Sequence, residues 1–91
     1  MKQIQPVTIW YNGIPTPANI FSFYSSYDNL NNSCTFCYAL YDGTLDELGT
    51  KIATGTINMD GQDYIDYSSS PDSNTFAYNW GATKLNLTII S

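Results

Sequence analysis

The alternation of apolar and polar positions changes character at Asp60. Before it the period is two. Residues 4–11 place Val7, Ile9 and Tyr11 on one side and Thr8 and Trp10 on the other, as a strand does. Asn12-Gly13 follows at once, and this pair supplies the positive φ that both central positions of a two-residue hairpin turn require. Ile14 opens a return strand whose Pro15 and Pro17 cannot donate to a ladder, which predicts a sheet edge. From Ala18 a further strand puts Phe21, Phe23 and Tyr27 on one face and Ile20, Ser22, Tyr24 and Ser26 on the other. Asp28 to Ser33 is a polar turn, rich in side chains that mimic backbone in tight bends. Thr35 to Tyr41, dense in aromatics on both faces, reads as a central strand. Asp42 to Thr50 reads as a surface loop with one helical turn. Lys51 to Met59 reads as another strand, with Ile52, Thr54, Thr56 and Asn58 opposite Ala53, Gly55, Ile57 and Met59.

Beyond Asp60 the spacing becomes helical. Asp60 can cap a short turn through Asp63, with Tyr64, Ile65 and Tyr67 as its apolar side. Ser68 to Asp72 reads as a linker feeding a helix, with Ser70 as N-cap, Pro71 as first helical residue and Asp72 as first-turn acid. Phe76 and Trp80 lie four apart, with Ala77 and Gly81 beside them. Lys84 falls in the last turn, and Asn86 suits the left-handed position that ends a helix. Phe76, Tyr78 and Trp80 also alternate as a strand would, and Asn79, Gly81 and Thr83 are poor helix formers. The agreement of start and stop signals decides for the helix. Leu87 to Ile90 reads as a final strand. The expected fold is therefore α+β and mainly β. It is one domain over residues 1–91: an antiparallel meander of four to five strands, sandwich- or barrel-like. A C-terminal helix packs on it through Phe76 and Trp80, and a short strand closes the chain.

Composition narrows the chemistry. Three lysines, no arginine and no histidine stand against eight carboxylates, for a net charge of −5. That balance opposes binding to nucleic acid, whose phosphates need Lys and Arg, and docking on an anionic membrane. Without histidine the commonest general base and metal ligand are missing, so neither an ordinary enzyme nor a cofactor is expected. Residues 1–20 lack the charged start and continuous apolar run of a signal peptide, and no stretch is apolar for long enough to cross a bilayer as a helix. The chain is accordingly expected to be soluble, made in a cytoplasm and complete as a gene product.

Several groups invite a chemical reading, and each has a plainer one. Cys34 and Cys37 have redox and zinc spacing, but on a strand side chains three apart point to opposite faces. Zinc would also need further ligands. Both are expected to be buried free thiols. Asp60, Asp63 and Asp66 recur every three residues, as calcium ligands can, yet Asp is also what turns and helix starts demand. Ser68 to Ser70 offers hydroxyls without a base. Trp10, Tyr11, Tyr24 and Tyr27 are the candidate interface residues: their rings can stack on sugars or bury against a neighbouring copy.

The order of motifs carries a resemblance. Met1-Lys2-Gln3-Ile4-Gln5-Pro6-Val7-Thr8-Ile9-Trp10 leads into Asn12-Gly13. Gly61-Gln62-Asp63-Tyr64, Phe76-Ala77-Tyr78-Asn79-Trp80 and Leu85-Asn86-Leu87-Thr88-Ile89-Ile90 follow. In this order the chain resembles a group of small structural virion proteins of tailed bacteriophages, although the cysteine pair is not part of their pattern. The resemblance implies a non-enzymatic particle component made in the host cytoplasm. It would act through repeated contacts with other virion proteins and with its own copies, as head fibre, capsid decoration or tail component. The alternative is a small acidic carbohydrate- or protein-binding module with Trp10, Tyr24 and Tyr27 as an aromatic platform.

Overall fold

A computed structural model describes residues 1–90. Among these, four strands and two helices form: β1 (Lys2–Tyr11), β2 (Ile14–Asp28), β3 (Ser33–Tyr41), β4 (Lys51–Asp60), α1 (Gly61–Ser69) and α2 (Ser73–Leu85). The strands make one antiparallel sheet in chain order, and both helices pack on one of its faces. This is the mainly β meander that the alternation predicts. It is a single coiled sheet rather than a sandwich or a closed barrel, and its outer strands β1 and β4 approach each other.

Asn12 (φ 51°) and Gly13 (φ 78°) take the left-handed conformations of the hairpin turn between Tyr11 and Ile14. The two expected strands after it are one, of 15 residues. Pro15 and Pro17 fit because β3 reaches along β2 only as far as Ile20, opposite Tyr41. Residues 14–19 therefore have β1 on one side and no strand among the described residues on the other, so the edge position that the prolines predict is local.

Bulges adjust the faces. In β2, Ser25 lies opposite Phe36 and Tyr27 opposite Thr35, so Ser26 is the extra residue. This overturns one expectation: Tyr27 leaves the face of Phe21 and Phe23 and joins that of Tyr24. In β4, Leu40 faces Ala53 while Tyr41 faces Lys51. The extra residue there is Ile52, which turns into the core.

The core is an aromatic stack under the helices. Phe23 and Phe36 lie parallel, centroids 4.7 Å apart, and Tyr78 and Tyr67 meet Phe21 and Phe36 edge-on at 5.5 Å each, as ring quadrupoles favour. The Phe23 backbone N–H donates to the Tyr78 hydroxyl at 3.3 Å.

The stretch after Asp60 is a two-turn helix, longer than the expected turn. Gly61 (φ 59°) redirects the chain out of β4. The Gln62 amide then donates to Asp66 one turn on at 2.9 Å. Ser68 and Ser69, expected in a linker, end the helix with hydroxyls donating back to the Ile65 carbonyl. Asp60 occupies the N-cap position without a side-chain capping bond.

The N-cap of α2 is Asp72 rather than Ser70. Ser70, restricted to extended conformations by the following proline, instead ends α1. The Asp72 carboxylate accepts from the Thr75 N–H at 3.1 Å and the Thr75 hydroxyl at 2.8 Å, and these bonds hold its pKa below the usual carboxylate range. At the other end Asn86 (φ 59°) closes the helix as predicted, with Lys84 in the last turn.

The expected contact face of α2 shifts. Ala77, Tyr78, Gly81 and Ala82 are buried, while Phe76 and Trp80 flank them half-buried. Small residues win the centre because the helix lies against the Phe23 ring: a Cβ on Gly81 would come within 2.8 Å of it. Trp80 leans over Phe36 and Phe23, and its indole N–H donates to Asp63 of α1 at 3.0 Å.

The expected final strand does not form among the described residues. Residues 87–90 pair with β1 through a single antiparallel bridge, Ile4 with Ile89, flanked by hydrogen bonds from Gln5 N–H to Thr88 O and from Ile90 N–H to Gln3 O. The loop from Asp42 to Thr50 has no helical turn. It folds as nested backbone bonds, Asp42 N–H to Thr50 O, Gly43 N–H to Leu48 O and Thr44 N–H to Glu47 O.

Candidate functional site: the open face of the sheet

Side chains alternate along every strand, so the burial of Phe21, Phe23, Phe36 and Met59 under the helices assigns their neighbours to the opposite face. Ser22 and Tyr24 of β2, Cys37 and Tyr41 of β3, and Thr54 and Thr56 of β4 point there. Among the described residues no helix packs on that face. Tyr24, Cys37 and Thr56 stand side by side in one row across the sheet, by the registers Tyr24 with Cys37 and Cys37 with Thr56. Next to them Thr35 and Asn58 face each other and hydrogen-bond through their side chains. A shallow groove of about 380 Å³ runs between Met1, Tyr24, Tyr41 and Lys51 over this row.

The face is sparsely charged, as is the chain as a whole, 12% of whose residues are charged. Lys51 and Asp60 mark its two ends on β4, and among the described residues the positions between them carry Ser, Thr, Tyr, Cys, Ala and Asn. The acids lie elsewhere. Asp28 turns to the helix side, Asp42, Asp46 and Glu47 are in the loop before β4, and Asp63, Asp66 and Asp72 are on or beside the helices.

The four residues singled out from the sequence do not gather in one patch. Tyr24 and Tyr27 are exposed neighbours on the open face. Trp10, 73% exposed, stands opposite Pro15 near the hairpin tip. Nine residues of β2 separate Pro15 from Tyr24, which at the rise of a strand is about 30 Å, too far for a single aromatic platform. Tyr11 points to the helix side and packs half-buried against the core. Sequence reading missed Cys37, Tyr41, Lys51, Thr54 and Thr56 as members of one surface. The signal was the threonine alternation of β4, which became legible only once the helices showed which face they cover.

The cysteines do point to opposite faces and are free, as expected. Cys34 is buried beneath α1, and that burial, with the Asp28 carboxylate nearby, raises its pKa. Cys37 departs from the expectation of burial, because it is partly open on the free face. It in turn raises the pKa of Tyr24 beside it. On the helix side Tyr64 donates to the Asp28 carboxylate at 2.7 Å. That bond, then burial and the carboxylate's charge, push the phenol up to about 12. Tyr67 next to it is raised by burial, then by Cys34 and Asp28.

The aspartates every three residues do not converge. Asp63 accepts from Trp80 and Asp66 from Gln62, and among the described residues no three Cys, Asp or Glu side chains form a metal-binding group. No described helix is long and apolar enough to cross a membrane. Comparison of the chain with models of protein families, with curated proteins and with solved structures finds no match.

Proposed function

We propose that this chain is a non-enzymatic structural protein that works by assembly, through repeated contacts with its own copies and with partner proteins. The observation that supports this reading is the open face of the sheet. An antiparallel sheet commonly leaves one face in water, and a surface built for solubility alone is given about 25–35% Lys, Arg, Glu and Asp, far above the 12% of this chain. Here charges mark only the ends of the face, while Tyr24 and Tyr27 stand exposed on it. Depletion of charge together with exposed aromatics is the composition of protein–protein contact surfaces. The placement in a bacteriophage virion rests on the sequence resemblance, which the small single domain and the low content of general acid–base side chains accompany.

Two measurements test the reading. Sedimentation equilibrium over a range of concentrations is expected to show reversible self-association. Addition of the purified chain to phage particles stripped of it is expected to restore particle-bound protein. A chain that stays monomeric and binds no particle contradicts the proposal. The carbohydrate-binding alternative predicts glycan binding that depends on Trp10, Tyr24 and Tyr27 together, a dependence that their separation along β2 disfavours.

A further inference from the structure

We infer that two copies of the chain pack face to face through their open sheet faces. The twofold axis would run across the strands along the row Tyr24–Cys37–Thr56. This inference rests on the assembly reading above and specifies the surface and the partner.

Three observations converge on a second copy as the occupant. The first is charge. Two copies each carrying −5 repel over most of their surfaces, and the open face is a surface on which the like charges are absent between Lys51 and Asp60. The second is complementarity. Lys51 lies five residues before Thr56 and Asp60 four residues after it, and the bulge at Ile52 absorbs the difference. A twofold axis through the row of Thr56 therefore brings Lys51 of each copy over Asp60 of the other, at both ends of the contact. The third is area. Along the nine residues of β3 three strands lie side by side, β2, β3 and β4, because β1 pairs with β2 only up to Phe21; at ~3.3 Å per residue and ~4.8 Å per strand they give a face of roughly 430 Å² per copy and roughly 860 Å² for two. That is below the ~1,000 Å² of a stable specific contact and fits a weak, reversible one.

The geometry makes a distance prediction. Packed sheets lie about 10 Å apart, so Cys37 of one copy sits across the axis from Cys37 of the other within reach of a bismaleimide with a ~10 Å spacer. Cys34, sealed under α1, is out of reach. The full-length chain treated with this reagent under native conditions is expected to give a covalent dimer. Cys37→Ser should abolish that product and Cys34→Ser should retain it. Thr56→Glu, which sets two like charges together on the axis, should weaken self-association by about tenfold or more. Lys51→Glu should weaken it as well, and the swap Lys51→Glu with Asp60→Lys should restore it, which a general loss of fold would not do. If copies self-associate but Cys37 does not cross-link and the charge swap does not rescue, this surface is wrong while the assembly reading stands. If the chain neither self-associates nor binds particles, both fall.

Discussion

Phe23 and Tyr24 are adjacent in β2 and live in different environments. Phe23 is 4% exposed, stacked on Phe36 and pressed by Gly81 of α2, whereas Tyr24 is 57% exposed beside Cys37. The same division runs through β4, where Ile57 and Met59 pack on the core while Thr54, Thr56 and Asn58 are exposed. One face of the sheet thus supplies the stability of a small domain and the other is spared that task. Substitutions on the helix side should therefore register in unfolding and those on the open side in association.

Phe36→Ala should have the largest effect. Removing a buried ring costs about 3–5 kcal/mol, a large part of the stability of a domain this size, and urea unfolding followed by tyrosine and tryptophan fluorescence measures it. Gly81→Ala should come next, at about 1–3 kcal/mol, because its Cβ would overpack the Phe23 ring. A variant as stable as the wild type would show that α2 sits farther from the sheet than described.

The third effect depends on pH. The folded-state pKa of Tyr64 is about 12, above its unfolded value of 10.0. The unfolded chain therefore loses this proton first as pH rises. The stabilisation is fully present below pH 10 and is lost as pH climbs through the folded value. Unfolding midpoints across alkaline pH should fall in this window, and Tyr64→Phe should flatten that part of the profile. The smallest effect belongs to the open face: Thr56→Ala should change the unfolding free energy by no more than about 0.5 kcal/mol.

Much of the helix-side architecture was legible in the sequence because local chemistry dictates it. The Asn12-Gly13 turn, the alternation of β3 and β4, the prolines at an edge and the Asn86 helix stop each follow from one residue's conformational preference. Four features escaped for physical reasons. α1 is held by the packing of Tyr64 and Tyr67, a tertiary effect that a weak capping signal at Asp60 understates. The α2 N-cap moved from Ser70 to Asp72 because Ser70 was already the end of α1. Tyr27 changed faces because the Ser26 bulge shifts the alternation by one, and no residue type announces a bulge of that kind. Residues 87–90 have strand-like alternation but contact β1 at only one bridge. The candidate surface was the least legible, because its members come from three strands and its defining property is what does not cover it.

The two faces of the sheet thus divide the labour, stability on one and association on the other. Sedimentation equilibrium and urea unfolding carried out in parallel on wild type and Thr56→Glu separate the two. Thr56→Glu is expected to keep the wild-type unfolding midpoint and to lose self-association. A variant that assembles like the wild type, or one that unfolds, would contradict this division.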